Sequence, residues 1–258
     1  MIKAVFFDID GTLVSFKTHQ VPQSAADAIV ALRKKGIKVF IATGRQFLSI
    51  NNLGSLEFDG YVTLNGGVCI LGKDKVIFEQ AIPDEDIRSL LSYQENVERF
   101  PCAFVMQGKI LLNYKNDDVE EVFQLLNFPQ PPIGPMELLE GKKIYQLIAF
   151  FSSGQEERIM SVLPHCESTR WNPLFTDVVP KGSNKGIGID KIIAHYGISL
   201  DETMAFGDGG NDVSMLTHVG IGVAMGNAEK EVQEAASYVT TSVDDDGVWN
   251  ALKHFGVI

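Results

Sequence analysis

The chain has 258 residues, of which 45% are hydrophobic and 21% charged, and its formal net charge is −11. This size allows one large domain or two, and the negative charge argues against a nucleic-acid or anionic-membrane partner. No stretch has the apolar length of a membrane span, no secretory leader is evident, and the three cysteines lie far apart without disulfide or metal spacing. We therefore expect a cytoplasmic globular protein with reduced thiols.

Short apolar runs predict the strands of the first and last thirds of the chain. These runs are 4–7, 37–42, 61–64, 203–206, 221–225 and 238–240. After the first run, apolar residues recur at helical spacing over 25–32, which predicts a helix. Because strands alternate with helices, we expect an α/β fold with a doubly wound, Rossmann-like parallel sheet as its core.

The middle third has a different pattern, with prolines clustered between 129 and 135. Charged helical candidates lie at 84–91 and 119–126, and β-rich runs lie at 103–106 and 144–151. We expect a separate α+β domain inserted into the parallel domain, because a long insertion costs little closure entropy when its ends are close. The predicted segments are 1–83 and 183–258 for the core domain and 84–182 for the insert.

Asp8 and Asp10 follow the first predicted strand, and Gly11 allows a sharp turn directly after them. In an open α/β sheet, ligands bind beyond the carboxyl ends of the strands. Two carboxylates at such a place repel each other unless a positive charge lies between them, so they indicate a bound cation. The alternative is a plain turn, because Asp-Gly is a frequent hairpin signal.

Further polar residues are predicted to lie at the same end of the sheet. They are Thr43, Gly44 and Arg45 after the second strand, Lys185 before a late helix, and Asp208, Asn211 and Asp212 after the strand at 203–206. Each type has an ordinary alternative, such as a helix cap, a solvated surface charge or a loop whose polar groups bond their own backbone. Their conjunction at one end of one parallel sheet favours a ligand site.

The four motifs resemble those of the haloacid dehalogenase-like phosphohydrolases. They are Asp8-Ile-Asp10-Gly-Thr, Thr43-Gly-Arg45, Lys185-Gly and Gly207-Asp208-Gly-Gly-Asn211-Asp212. The large insert resembles the α/β cap of the Cof-type subgroup, and bacterial sugar-phosphate phosphatases of that subgroup look most similar. A second lysine, Lys181, lies nearby, but Lys185 fits the motif better because it leads directly into the helix predicted over 189–195.

The resemblance implies a Mg²⁺-dependent phosphatase of small phosphate esters, most similar to hexose phosphatases. Asp8 would be the nucleophile that forms an aspartyl-phosphate, and Asp10 would be the general acid and base. Mg²⁺ would be held by Asp8, Asp208 and the backbone carbonyl of Asp10. The expected contacts of the phosphate or the adjoining substrate group are Asp10, Thr43, Gly44, Arg45, Lys185 and Asn211. Asp212 would orient Lys185 or support the metal from behind its ligands.

The insert would determine specificity, with Arg170 and Trp171 as candidate substrate contacts, since sugars stack on aromatic rings and arginine donates to hydroxyls. A core tryptophan beside a surface arginine is the alternative. The motifs also leave open a phosphomutase using the same intermediate, a phosphatase of flavin mononucleotide or pyridoxal phosphate, and a non-catalytic sensor. We expect a monomer with a small-molecule substrate.

Overall fold

The computed structural model describes residues 1–125 and 129–258, without the side chain of Trp171. Its described residues form two compact units, Met1–Glu79 with Asn184–Ile258, and Gln80–Ser183. We call the first the core unit and the second the inserted unit. The role of the inserted unit as a cap stays a prediction.

The elements are numbered in chain order. The strands are β1 (Ala4–Phe7), β2 (Lys38–Ala42), β3 (Gly60–Thr63), β4 (Val68–Leu71), β5 (Lys75–Glu79), β6 (Cys102–Met106), β7 (Lys109–Leu112), β8 (Ile144–Ala149), β9 (Cys166–Asn172), β10 (Phe175–Pro180), β11 (Thr203–Gly207), β12 (Ile221–Ala224) and β13 (Tyr238–Val239). The helices are α1 (Gln23–Lys34), α2 (Asp84–Asn96), α3 (Asp117–Leu125), α4 (Ser153–Met160), α5 (Lys185–Tyr196), α6 (Val213–Leu216), α7 (Lys230–Ala235) and α8 (Gly247–His254). Position 126, the last residue of a predicted helix, lies outside the described residues.

In the described part of the core unit, eight strands form one sheet in the order β13-β12-β11-β1-β2-β3-β4-β5. The pairs from β13 to β3 are parallel, which confirms the predicted parallel α/β core. The pairs β3–β4 and β4–β5 are antiparallel. One edge of the sheet therefore differs from the parallel sheet that the sequence predicted. The reason is chain length, because parallel neighbours need a long crossover whereas β4 and β5 are joined by a short turn at Gly72.

β1 lies in the middle of this sheet because its residues are apolar on both faces. All four of its residues are fully buried. On one face Phe6 stacks on Phe40 of β2, and Phe6 packs in a cluster that includes Ile189 and Ile192 of α5. Phe7 stacks on Phe206 of β11 with ring centroids 5.0 Å apart. The burial fixes where β1 ends, and therefore where the residues after it emerge.

The inserted unit has its own sheet and its own apolar clusters. Its described strands pair antiparallel in the order β7-β6-β8-β10-β9. Leu90 of α2 and Ile159 of α4 pack in one cluster with Phe104 and Leu147 of the sheet. A second cluster joins α3 to Phe175 of β10 and its neighbours. This is the α+β architecture expected for the middle of the chain.

None of the described helices has both the length and the apolar character of a membrane span.

Candidate active site

The candidate site lies where β11, β1 and β2 end side by side. Phe7 is in register with Phe206 of β11 and Ile41 of β2. The residues that follow these strands therefore emerge at one edge of the sheet, with Asp8 between the loops that begin after Ala42 and Gly207. Sequence reasoning predicted this convergence, because strands of a parallel sheet have their carboxyl ends on the same side.

Lys185 lies between two carboxylates at the centre of this edge. Its ammonium donates to Asp8 Oδ1 at 2.7 Å and to Asp212 Oδ1 at 2.5 Å. Lys185 is the first residue of α5, and its side chain is 0% exposed. Asn184 caps this helix by accepting a hydrogen bond from the backbone N–H of Ile187. A buried ammonium needs such partners, since an unpaired charge in the interior costs several kcal/mol, roughly. Lys181 is exposed and belongs to the inserted unit.

Burial and charge perturb the titration of this pair. Burial raises the pKa of Asp8 to about 7, with Asp212 and Asp10 adding to the rise and the Lys185 ammonium opposing it. For Lys185, burial alone would lower the pKa, but the negative charges of Asp212 and Asp8 outweigh it and raise the pKa above its ordinary value. Lys185 therefore carries a fixed positive charge beside Asp8.

Asp10 lies in the loop after β1 and is held by Arg45. The guanidinium donates from Nε to Asp10 Oδ2 at 2.7 Å and from Nη2 to Asp10 Oδ1 at 2.5 Å. It also donates from Nη1 to the carbonyl of Ser49 at 3.2 Å, and its side chain is 6% exposed. A bidentate arginine fixes both the position and the plane of a carboxylate. The structure therefore pairs Arg45, a predicted substrate contact, with the predicted acid and base.

Asp208 follows β11 and faces the loop after Asp10. Its Oδ1 accepts a hydrogen bond from the hydroxyl of Thr12 at 2.7 Å. Burial raises the pKa of Asp208 well above its ordinary value, and the charges of Asp8 and Asp212 add to the rise. Gly11 is required beside it, since its φ is +86° and a Cβ there would lie 2.1 Å from Asp208 Oδ2.

Asp212 supports both Lys185 and the loop that carries Asp208. Its Oδ2 accepts from the backbone N–H groups of Asp208 at 2.9 Å and Gly209 at 2.8 Å. Its other oxygen accepts from Lys185, and the side chain is 1% exposed. These hydrogen bonds are those expected of a residue that orients Lys185. The role of Asp212 in catalysis stays a prediction.

Thr43, Gly44 and Asn211 lie at the neighbouring strand ends, together with Asn65, to which the sequence had assigned no role. The hydroxyl of Thr43 accepts from the backbone N–H of Arg45 at 3.1 Å, and Asn211 donates to Asn65 Oδ1 at 3.0 Å. A Cβ at Gly44 would lie 3.3 Å from the side-chain amide of Asn65. Asn65 has a left-handed φ of 52°, and the signal that could have found it is the Asn-Gly pair after β3.

Comparison with known proteins agrees with this arrangement. The sequence model of the haloacid dehalogenase-like hydrolases matches residues 5–252. The chain belongs to this family. The Bacillus subtilis protein YkrA, a candidate phosphatase, is 35% identical over 258 residues, which cover 99% of this chain and 98% of YkrA.

Solved structures of this hydrolase family have the same fold. BT4131, described as a subclass IIB sugar phosphatase, is 46% identical with a TM-score of 0.93, covering 99% of this chain and 100% of BT4131. BT1666 of Bacteroides thetaiotaomicron, described among the phosphatases of this superfamily, is 40% identical with a TM-score of 0.93, covering 100% of this chain and 96% of BT1666. The chain is therefore a hydrolase of the phosphatase type.

The carboxylates of this hydrolase fit the magnesium ion that its family generally uses. One oxygen each of Asp8, Asp208 and Asp212 lies within 4.8 Å of the others. A set of oxygen donors with high negative charge suits Mg²⁺ rather than zinc, which prefers nitrogen and sulfur. Asp212 accepts from Lys185 and two backbone amides, whereas one oxygen of Asp8 accepts no hydrogen bond among the described residues. Asp8 and Asp208 stay the predicted ligands.

The predicted specificity residues belong to the inserted unit. All five N–H donors of Arg170 have acceptors there, which are Glu156 Oε2 and the carbonyls of Phe151, Pro173 and Phe175. Arg170 therefore braces the end of its own sheet, and a substrate contact would require it to leave these acceptors. This geometry favours the packing role over the predicted substrate role. The side chain of Trp171 lies outside the described part of the chain.

Proposed function

We propose that the chain is a Mg²⁺-dependent phosphatase of small sugar phosphates that acts through an aspartyl-phosphate on Asp8. The observation that carries the proposal is the buried Lys185, which bridges Asp8 and Asp212 with distances of 2.7 and 2.5 Å. A buried cation beside a carboxylate at the edge of a parallel sheet is suited to bringing an anionic substrate to an anionic nucleophile.

Asp8 is the proposed nucleophile. Attack by its carboxylate on the phosphorus forms an acyl phosphate and releases the alcohol, and water then hydrolyses the acyl phosphate to free phosphate and Asp8. Only one carboxylate oxygen of Asp8 accepts a hydrogen bond among the described residues, the one bonded to Lys185. The other oxygen is the candidate for attack.

Asp10 is the proposed general acid and base. It would give a proton to the leaving alcohol oxygen and later take one from the attacking water, a role that is worth about 10²–10⁴ in rate. The paired hydrogen bonds from Arg45 support this role, because they hold the carboxylate in one orientation two residues after the nucleophile.

The transferring phosphoryl group carries its charge on oxygens that need donors. Thr43, the backbone N–H of Gly44 and Asn211 are proposed donors, since they lie in the loops after β2 and β11. Lys185 is a proposed donor because its ammonium lies 2.7 Å from Asp8 Oδ1. When bound, Mg²⁺ would offset the negative charge of the phosphoryl group and the nucleophile. Asp8, Asp208 and the backbone carbonyl of Asp10 are the groups that would hold it.

Sugar phosphates are the proposed substrate class. The support is the 46% identity to BT4131, described as a sugar phosphatase, over 99% of this chain. Phosphates of cofactors such as flavin mononucleotide and pyridoxal phosphate are the competing class.

The proposal is tested by phosphate release from hexose, pentose and cofactor phosphates, with Mg²⁺ and with a chelator. We expect metal-dependent release that is greatest with sugar phosphates. Release that is unaffected by the chelator would contradict the metal role, and preference for a cofactor phosphate would overturn the substrate class. If a hexose 1-phosphate yields its isomer instead of inorganic phosphate, the enzyme is a mutase.

Asp8→Asn tests the nucleophile. We expect loss of turnover with the fold retained, because the amide has nearly the same shape but is a poor nucleophile. The matched control is Asp27→Asn, in an exposed residue of α1, which should leave phosphate release unchanged. Mass spectrometry of acid-quenched protein should detect an added phosphoryl group on the wild type and none on Asp8→Asn. Substantial residual turnover in Asp8→Asn would exclude the proposed intermediate.

A further inference from the structure

Asn227 contacts the candidate site but matches none of the four motifs. It lies in the connection between β12 and α7, to which the sequence assigned no role. Its Nδ2 donates to the carbonyl of Gly11 at 2.9 Å and to Asp208 Oδ2 at 3.3 Å. Its Oδ1 accepts from the backbone N–H of Val243 at 2.9 Å.

These bonds join three segments that are distant in sequence. Gly11 is in the loop that carries Asp10, Asp208 is in the loop after β11, and Val243 begins a short 3₁₀ turn before α8. One primary amide suits this task, because it has two N–H donors on one atom and an acceptor on the other. An aspartate in its place would keep the acceptor and lose both donors.

Asp208 is held from both sides by neutral donors. Thr12 donates to Oδ1 at 2.7 Å, and Asn227 reaches Oδ2. Neither donor carries a charge, so both orient the carboxylate without neutralising it. One oxygen each of Asp8, Asp208 and Asp212 lies within 4.8 Å of the others, so the two neighbouring carboxylates repel Asp208, while the Lys185 ammonium is engaged by Asp8 and Asp212. Without a donor on Oδ2, this repulsion would favour rotation of the carboxylate away from its neighbours.

We infer that Asn227 is a positioning residue that sets the affinity for Mg²⁺. It fixes the plane of Asp208 and holds the loop of Asp10 at a constant distance from it, through Gly11. The inference rests on the proposed function, because it takes Asp8, Asp208 and the Asp10 carbonyl as the metal ligands. Residues that orient metal ligands typically change metal affinity by about 10–100-fold when they are replaced.

The test is the dissociation constant of Mg²⁺ for Asn227→Ala, measured by calorimetry on the substrate-free protein. We expect an increase of about tenfold over the wild type. The matched control is Asn250→Ala, since Asn250 also donates twice into the segment around Val243, to Thr241 Oγ1 and the carbonyl of Asp245. Asn250 touches neither Asp208 nor Gly11 among its described bonds, so its variant should bind Mg²⁺ as the wild type does.

Two further readouts separate positioning from a general loss of structure. In a chelator, the melting temperature of Asn227→Ala should match that of Asn250→Ala. Phosphate release by Asn227→Ala should need more Mg²⁺ for half-maximal rate, and saturating Mg²⁺ should restore most of kcat.

Several outcomes would overturn the inference. They are an Mg²⁺ dissociation constant within twofold of the wild type, an equal weakening in Asn250→Ala, and a wild type that does not bind Mg²⁺. Because Mg²⁺ binding is measured without substrate, an enzyme that binds the ion but releases no phosphate would contradict the proposed function alone.

Discussion

At the scale of single residues, the pairing of Arg45 with Asp10 is the contact that the sequence did not predict. Arg45 was expected to bind substrate, yet both Asp10 oxygens accept from it. Lysine has the same charge but lacks the planar fork that contacts two oxygens at once. Replacing Arg45 by lysine therefore tests whether Asp10 must be held in one orientation.

We predict that Arg45→Lys lowers kcat/KM by roughly tenfold to a hundredfold, because the loosened carboxylate spends less time in line with the leaving oxygen and kcat/KM reports on the step that releases the alcohol. The loss should be large for a sugar phosphate and small for an aryl phosphate, whose leaving group needs little protonation. Steady-state kinetics on both esters gives the comparison. Lys191→Arg, at an exposed position of α5, is the control for exchanging these two residue types. Equal losses on both esters would mean that Arg45 acts on the phosphate rather than through Asp10.

Sequence reasoning named the charged residues of the candidate site, together with Thr43, Gly44 and Asn211, but it missed two further neutral residues. Asp8, Lys185 and Asp208 stand out because charged residues are rare next to buried strands. Asn65 and Asn227 do not, since asparagine is common in turns and their partners are far away in the chain. Asn227 bonds to Gly11 across 216 positions, a separation that no local pattern reveals.

At the scale of elements, apolar runs predicted the central strands well. β1, β2, β3 and β11 are buried throughout or nearly so, and a buried strand has few polar residues. The hairpin of β4 and β5 was missed although β4 is apolar and buried, since β5 is exposed or half-buried and its apolar run, 76–78, is only three residues long. An exposed edge strand therefore gives only a weak pattern of apolar residues in the sequence.

The turn after β3 touches the start of α5 through a glycine. Gly66 has a φ of +93°, and a Cβ there would lie 2.1 Å from the carbonyl oxygen of Asn184. Asn184 caps α5 directly before Lys185. The close approach therefore links the Asn65 turn to the residue that presents the buried ammonium.

We predict that Gly66→Ala destabilises the protein by about 1–3 kcal/mol more than Gly72→Ala, because backbone atoms must move to admit the methyl group. Gly72 is the matched control, since its φ is also positive, +59°, but nothing lies within 4 Å of its Cβ position. The loss of unfolding free energy in Gly72→Ala therefore measures only the cost of a left-handed backbone at alanine, about 1–2 kcal/mol. Urea unfolding measures both variants. Equal free energies of unfolding for the two would show that the contact with Asn184 relaxes without cost.

The inserted unit contains a histidine paired with carboxylates. His165 Nδ1 lies 2.9 Å from Asp86 Oδ1 and 3.4 Å from Glu85 Oε1, and the backbone N–H of His165 donates to Asp86 Oδ2 at 3.0 Å. The hydrogen bond to Asp86 raises the pKa of His165, and the charges of Asp86 and Glu85 raise it further, while Lys181 opposes them. The pair ties the start of α2 to the start of β9.

We predict a pH-dependent difference in stability between the wild type and His165→Asn. The folded state has the higher pKa, so the contribution of His165 is complete below about 6.5 and is lost as the pH rises through the folded value. Asparagine keeps a neutral donor without the charge. Urea midpoints should therefore differ more at about pH 6 than at about pH 9. His195→Asn, at an exposed position of α5, is the control, and a pH-independent difference for His165→Asn would contradict the assignment.

At the scale of the whole molecule, the two units have separate cores, and each contains one tryptophan. Trp249 is in α8 of the core unit, and position 171 is in β9 of the inserted unit. With Trp171→Phe, fluorescence reports on the core unit alone. The candidate metal ligands Asp8 and Asp208 belong to the same unit as Trp249. Binding of the ion should therefore change the stability of the core unit, which Trp249 fluorescence follows during unfolding.

We predict that Mg²⁺ raises the unfolding midpoint detected by Trp249. A ligand that binds only the folded state stabilises it by about 2.7 kcal/mol at 100 times its dissociation constant. The measurement compares urea unfolding in Mg²⁺ and in chelator. Asp208→Asn should remove the difference, whereas Asp27→Asn should retain it. A midpoint that does not respond to Mg²⁺ in the wild type would argue against a metal site in this unit.

The order of the central strands has a consequence for synthesis of the protein. β1 pairs with β2, which follows it closely in the chain, and with β11, which is about 200 residues away. At about 5–20 residues per second, a ribosome needs roughly 10–40 s to extend the chain from one to the other. During that interval the nascent β1 has an unpaired apolar edge, which is a hazard for aggregation. A chain released early would contain Asp8 but neither Lys185 nor Asp208, so truncated translation products would have no functional site.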